Sequence, residues 1–167
     1  DMENRARTKI VCITVNWNCA SILARHLAAL RGQDAARDCE LGLLVVDNAS
    51  SDGSLALVRE KFPEAGVIAL PRNLGYGAAA NAGVETALRA GADFAFVLNP
   101  DVFPEPGHVG NLLAAMAGNG RAAVAGGRLL REDGSTLDSA GLTLRWDFFA
   151  RDRGAGEPDR GQYMKEE

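Results

Sequence analysis

The sequence predicts an α/β fold built on a mostly parallel sheet, and three observations predict it. Short apolar runs rich in β-branched residues alternate with stretches of helical period, and such alternation implies parallel strands joined by right-handed crossovers. Three of the runs end in polar clusters: Asp47, then Arg72 with Asn73, then Asn99 with Asp101. Apolar residues make up 47% of the 167 and charged residues 24%, ordinary usage for one globular domain with a real core.

The first run, residues 9–15, carries Ile10, Val11, Cys12, Ile13 and Val15 and reads as a buried strand. Asn16-Trp17-Asn18 ends it. Asn18 or Ser21 is placed to cap the helix that follows. Ile22, Leu23, His26, Leu27 and Leu30 recur at helical spacing, so that face packs on the sheet. His26 reads as a satisfied core-edge histidine rather than a ligand. Residues 41–46 form the second strand and run into a polar loop. Asp52 and Ser51 are natural caps for a helix through Leu55, Leu57, Val58 and Phe62. Asp47 caps nothing; at the strand end its carboxylate can accept hydrogen bonds from a ligand.

Residues 66–70 are a short third strand. Pro71-Arg72-Asn73-Leu74-Gly75-Tyr76-Gly77 leads into a helix rich in small residues, closed by Gly91. A glycine-rich loop feeding a helix N-terminus is a ready anion site, and Arg72 adds a cation beside it. Residues 93–98 form the fourth strand, which ends on Leu98-Asn99-Pro100-Asp101. Asn, Pro and Asp are ordinary turn formers. In open α/β sheets, however, ligands bind outside the carboxyl ends of the strands. The expectation is that Asp101 holds a divalent metal and the metal a diphosphate. Pro104 and Pro106 start another helix, with Leu112, Leu113 and Met116 as its apolar face and His108 exposed near its start. Residues 122–127 are expected to form a fifth strand. Residues 128–137 read as a hairpin around Asp133-Gly134, and residues 141–144 as one further strand. Residues 1–8 are expected to be a disordered tail and residues 151–167 a polar segment.

Several classes are disfavoured. The net charge of -4 argues against a nucleic-acid surface. No run of 18 apolar residues occurs, and the polar start lacks a signal core. Cys12, Cys19 and Cys39 are odd in number and lack metal spacing, which suits reduced thiols in the cytoplasm. No G-K-[ST] occurs, so a P-loop is set aside. Gly75-Tyr76-Gly77-Ala78-Ala79-Ala80 fits the G-x-G-x-x-A fingerprint of NAD and FAD domains, but it follows the third strand, not the first. In a parallel sheet the three polar clusters share one edge. A nucleotide diphosphate with its metal needs that set, since Mg²⁺ often takes one or two protein carboxylates plus substrate phosphates.

Three motifs carry a family resemblance. Val45-Val46-Asp47-Asn48-Ala49-Ser50-Ser51-Asp52-Gly53-Ser54, Arg72-Asn73-Leu74-Gly75-Tyr76-Gly77-Ala78-Ala79-Ala80-Asn81-Ala82-Gly83 and Leu98-Asn99-Pro100-Asp101 resemble the inverting family 2 glycosyltransferases of the GT-A fold, in their rhamnosyltransferase-like branch. Residues 154–163 resemble a family segment too, so the likeness covers about residues 8–163. The resemblance implies a three-layer α/β/α sandwich. It implies a donor-binding domain over residues 9–150, with residues 151–167 leading to an acceptor half outside this chain. Thr14, Val15 and Asn16 would line the nucleotide pocket, and Asp47 would accept a hydrogen bond from a pyrimidine ring. Arg72, Asn73 and Gly75 would face the nucleoside and diphosphate. Asn99 and Asp101 match the D-x-D position, with Asp101 as the ligand of Mg²⁺ or Mn²⁺ and Asn99 replacing the first Asp.

The implied reaction moves a sugar from a UDP- or dTDP-sugar to a hydroxyl of a saccharide or lipid-linked saccharide, with inversion. The implied setting is the cytoplasm, at the inner face of a membrane. Apolar surface that an acceptor half would cover is expected to drive association, a homodimer being one form of it. The family's general base lies in a Glu-Asp segment beyond the Gly161-Gln162-Tyr163 region, so this chain is expected to bind donor yet transfer poorly alone. Glu166 and Glu167 are not cast as the base; Asp138 and Asp147 are the substitutes within the chain. The alternative is a nucleotide-sugar binding module without transfer. A sugar-phosphate nucleotidyltransferase is weaker, because no N-terminal glycine-rich loop with paired Arg and Lys occurs.

Overall fold

Strand β1 (Thr8–Asn16) lies inside a four-stranded sheet with β2 (Cys39–Asp47), β3 (Gly66–Ala69) and β4 (Phe94–Leu98), in the order β3-β2-β1-β4. All the pairings are parallel, with Asn16 opposite Asp47, Asp47 opposite Ala69 and Thr14 opposite Leu98. The computed structural model describes residues 7–33 and 39–163, and the chain divides into two compact units, residues 1–110 and 111–167. Most of the expected tail and both Glu166 and Glu167 lie outside the described residues.

The period of two along the strands sorts the core of the first unit into two faces. Val11, Ile13 and Val15 of β1 and Leu44 and Val46 of β2 pack with Ala79 and Ala87 of α3 (Tyr76–Arg89). Cys12, Val45 and Leu98 pack on the other face with Leu23, Leu27 and Leu30 of α1 (Ala20–Arg31) and Val58 of α2 (Ser54–Lys61), joined by Phe62. Helices on both faces of a parallel sheet make the expected three layers. Small residues let α3 lie close: a Cβ on Gly83 would stand 2.5 Å from Ile13 Cγ2 and 3.0 Å from Val46 Cγ2.

The start of α1 corrects the sequence reading. Neither Asn18 nor Ser21 caps it. Asn18 sits in the left-handed region (φ 54°), and its Oδ1 accepts the Ser51 N–H at 2.8 Å. Asp52, from the loop after β2, accepts the Ala20 N–H at 2.8 Å, and its other oxygen accepts the Ser54 N–H at 3.0 Å. One carboxylate thus serves the starts of two helices. Desolvation works to raise the Asp52 pKa, but hydrogen bonds from Ser54 and Ala20 outweigh it and hold the carboxyl below its usual range.

A further helix, α4 (His108–Gly118), follows the prolines. In the second unit, β5 (Leu129–Leu130) and β6 (Leu137–Ser139) form the hairpin expected around Asp133-Gly134. Hydrogen bonds from the Thr136 side chain and the Ser135 and Thr136 amides hold the Asp133 carboxyl down to about 2. Residues 122–127 are not a strand: the segment is irregular, and Val124 is exposed. It holds one β-branched residue among Ala and Gly, which are depleted in strands. β7 (Leu142–Leu144) pairs antiparallel with β8 (Ala150–Asp152), so the segment read as merely polar begins inside a second hairpin. Its continuation folds back: Gly156 N–H donates to the Leu137 carbonyl at 2.9 Å, and Leu137 N–H donates to the Glu157 carbonyl at 2.8 Å.

Candidate functional site

The four parallel strands put their carboxyl ends on one edge, with β1 flanked by β2 and β4. Chain order runs outward from β1 through β2 to β3, then returns to the far side of β1 for β4. That reversal is a topological switch point, where open α/β sheets leave a crevice for ligands. Asn99 and Asp101 follow β4 there, and both are exposed. The Asp101 carboxylate has no hydrogen bond or ion pair among the described residues. An exposed, unpaired, hard oxygen donor suits a divalent cation that also binds substrate phosphate. Among the described residues no three His, Cys, Asp or Glu side chains are gathered to hold a metal by themselves.

The loop before α3 supplies the opposite charge. Arg72 is exposed and has no carboxylate partner among the described residues. Gly75 has φ 81° and ψ 163°, a conformation that only glycine adopts readily. The bend it makes starts α3 without a side-chain cap. The Ala79 N–H donates to the Gly75 carbonyl, so the amides of Tyr76, Gly77 and Ala78 have no partner within the helix. Such an end attracts anions through its amides and its dipole. Tyr76 is the first residue of α3: desolvation raises its phenol, and the Asp101 charge raises it further.

Other expected site residues are engaged within the protein. Asn73, though exposed, spends its side-chain oxygen within the loop. Its Oδ1 accepts the Gly75 N–H at 2.8 Å and the Asn48 amide at 3.0 Å, while Asn48 Oδ1 accepts the Leu74 N–H at 2.9 Å. The nearly buried Asn48 therefore clamps the Arg72 loop, a role the sequence reading missed. Asp47 is 1% exposed: one oxygen accepts the Asn16 amide at 2.8 Å, the other the Ser50 N–H at 2.9 Å. Asn16 is fully buried and also donates to Ser50 Oγ at 3.0 Å. Turning its NH₂ toward those acceptors leaves its Oδ1 buried with no partner among the described residues. Val15 is buried in the α3-side core. Trp17, next along, is 55% exposed at the rim.

Thr14 is fully buried as well, and it explains His26. The Val102 carbonyl can only accept, so His26 Nδ1 carries the proton that meets it at 2.6 Å. Nε2 is then the acceptor for the Thr14 hydroxyl at 2.8 Å. His26 is thus satisfied at both nitrogens, as expected. It also ties β1 and α1 to the residue after Asp101. Burial lowers its pKa, against smaller upward effects from the Val102 carbonyl and the Asp101 charge. Cys12 is buried, and desolvation pushes its thiol up to about 12, so it is inert. Of the substitutes for a base, Asp138 pairs with Arg131 at 3.6 Å and Asp147 with Arg145 at 3.0 Å, both within the second unit.

Comparison with known proteins agrees with this geometry. N-acetylglucosaminyl-diphospho-decaprenol L-rhamnosyltransferase from two strains of Mycobacterium tuberculosis is 32% identical over 136 residues, covering 77% of this chain and 43% of that protein. The chain therefore spans less than half the length of these curated relatives. A mannosyltransferase from Pyrobaculum calidifontis, solved with GDP-Man and Mn²⁺, superposes with a TM-score of 0.57 at 27% identity, over 66% of this chain and 33% of that one. TarS of S. aureus, solved with UDP, gives 0.57 at 20% identity over 70% of this chain and 38% of that one, a likeness of fold. The sheet, its two helical layers and these neighbours make the fold GT-A. The model of glycosyl transferase family 2 matches residues 11–162, and the chain belongs to that family.

Proposed function

We propose that this chain binds the nucleotide-diphospho-sugar donor of an inverting glycosyltransferase, which passes the sugar to a hydroxyl of a saccharide or lipid-linked saccharide. The observation that carries the reading is an uncapped α3 N-terminus together with an unpaired Asp101 carboxylate at the same sheet edge. An anion with a cation on it fits that pair better than either ion alone. Asp101 would hold Mg²⁺ or Mn²⁺ there with the neutral Asn99 next to it. The cation supplies charge neutralisation for the leaving diphosphate.

The chain's own groups do the rest. Arg72 and the free amides of α3 stabilise negative charge as the diphosphate departs. Trp17 offers an exposed ring face to the base at the β1 end. Asp47, itself buried, supports that rim by holding Asn16 and Ser50. Asn73 and Gly75 shape the Arg72 loop, and Thr14, Val15 and Asn16 support the edge from below. The acceptor hydroxyl attacks the anomeric carbon as the bond to the diphosphate breaks on the opposite face, through an oxocarbenium-like state, and its proton passes to a general base. The mannosyltransferase neighbour with GDP-Man and Mn²⁺ supports the donor and metal classes. The decaprenol-linked substrate named for the mycobacterial relatives supports the lipid-linked acceptor.

Calorimetric titration of UDP and dTDP, with Mg²⁺ or Mn²⁺ and with chelator, tests this on the chain and on Asp101→Ala. Metal-dependent binding that is lost in the variant is the expected result. Tight binding indifferent to metal and to Asp101 would reduce Asn99-Pro100-Asp101 to a turn. No binding of either nucleotide under any condition would overturn the donor-site reading for this chain.

A further inference from the structure

The second unit carries an apolar surface that the donor site does not use. Leu142 and Leu144 of β7, and Trp146, Phe148 and Phe149 at and after the turn, are between 66% and 89% exposed. The register sets Leu142 and Leu144 opposite Asp152 and Ala150, on the face away from Thr143 and Arg151. Residues on both faces are exposed, so no single groove covers the hairpin. Phe148 has φ 62°, where turn chemistry favours Gly or Asn. An 85% exposed Phe in that conformation serves neither the turn nor a core of this chain.

We propose that the β7–β8 hairpin is a membrane-interface anchor whose aromatic tip enters the boundary between head groups and acyl chains. Four observations favour a lipid surface over another protein. Trp with Phe at a tip is the composition that seats at such boundaries. Insertion covers both faces of a thin hairpin at once, which a flat protein partner does not. Three of the tip's amides are already paired: Arg145 N–H donates to the Phe149 carbonyl at 2.9 Å, Phe148 N–H to the Arg145 carbonyl at 3.0 Å, and Phe149 N–H to Asp147 Oδ1 at 3.3 Å. Only backbone with internal partners enters an apolar phase cheaply. The charge at the tip is self-compensated as well, through the Arg145–Asp147 pair.

Charge at the root sets depth and lipid preference. Arg151 is exposed and has no carboxylate partner among the described residues, so an anionic head group is its natural counter-ion. Asp152, also exposed, holds the Leu142 end at the water side. The inference rests on the proposed lipid-linked acceptor for its purpose, since an enzyme with such an acceptor must work at a bilayer. Its geometry stands apart from that reading.

The test is flotation of the whole chain with vesicles of phosphatidylcholine, with and without phosphatidylglycerol. It is joined by quenching of Trp146 by brominated acyl chains in a Trp17→Phe background. Expected results are binding that is stronger with phosphatidylglycerol, quenching of Trp146, and partitioning weakened about tenfold or more in Trp146→Ser/Phe148→Ser/Phe149→Ser. Arg151→Glu should remove the phosphatidylglycerol preference alone. Circular dichroism checks that every variant is folded, and nucleotide titration does so for the variants that keep Trp17. Vesicle binding unaffected by the triple variant would overturn the proposal. So would no vesicle binding by a chain that still binds nucleotide, an outcome that leaves the donor-site reading standing. A dimer that the triple variant dissociates, without vesicle binding, would assign the hairpin to a second copy.

Discussion

Asn48 shows how much one buried amide can decide. Both ends of its side chain are spent on the loop that carries Arg72. Removing it leaves the Leu74 N–H without its acceptor and Asn73 Oδ1 with the Gly75 N–H alone, next to a buried position. Asn48→Ala should therefore cost about 1–3 kcal/mol in urea unfolding and weaken nucleotide binding in titration by loosening the loop. Unchanged affinity would show that the loop is rigid without the clamp. His26 makes a second residue-scale prediction. Its folded pKa lies below the ordinary 6.5, so the folded state stays neutral where the unfolded state takes a proton. The stability contributed by the neutral form is complete above 6.5 and declines as pH falls below it. Urea midpoints should drop between about pH 7.5 and 5.5, and His26→Leu, though weaker at the upper pH, should drop less. An equal drop in both proteins would assign the acid loss to other groups.

At the scale of elements, α3 is set by what it lacks. Its stripe of small residues brings the helix down on β1 and β2, and Gly83 is the point of closest approach. Gly83→Ala adds one methyl where Ile13 Cγ2 lies 2.5 Å from the new atom. In an exposed helix that change would stabilise, since Ala is the better helix former. Here it should destabilise by about 1–3 kcal/mol through overpacking, and it should lower nucleotide affinity because α3 carries the anion-binding end. A thermal or urea scan showing no loss would mean that the Ile13 side chain turns away at little cost. The start of α1 gives the matching lesson about caps. Asn18 and Ser21 have the right chemistry at the right place in the chain, yet Asp52, from a loop 32 residues on, takes the Ala20 amide.

For the whole molecule, division into two compact units has its own consequence. The second unit has short strands, and its closure depends on the return of the chain past Gly154. That residue has φ 74°, and a Cβ on it would stand 2.6 Å from Tyr163 Cε2 and 3.1 Å from Leu137 Cδ1. Gly154→Ala should therefore weaken amide protection against hydrogen exchange across residues 129–163 while β1 and β2 keep theirs. Loss of protection in β1 as well would show that the two units unfold together.

The order of strands and helices in the first unit was legible because β1 and β2 are short apolar runs rich in β-branched residues, as strands covered on both faces are, and α1 has a period of 3.6. The polar residues at the strand ends were legible for the same reason, since a parallel sheet puts those ends on one edge whatever the packing details. The segment 122–127 was misread because an apolar run of Ala and Gly has no period to give and too little side chain to hold a strand. The hairpin at β8 was hidden because its strand is polar and fully exposed. Local patterning was enough for the layers, the edge and the chemistry placed there. Which of those polar groups face outward was settled by long-range packing. Asp101 and Arg72 are exposed without a carboxylate–cation partner among the described residues, while Asp47, Asn16, Thr14 and Asn73 are engaged by Ser50, His26 and Asn48. The physical reason is that a strand-end polar group is either spent on the buried backbone and side chains around it or left for a ligand. Those partners come from other elements, so local sequence does not contain the choice.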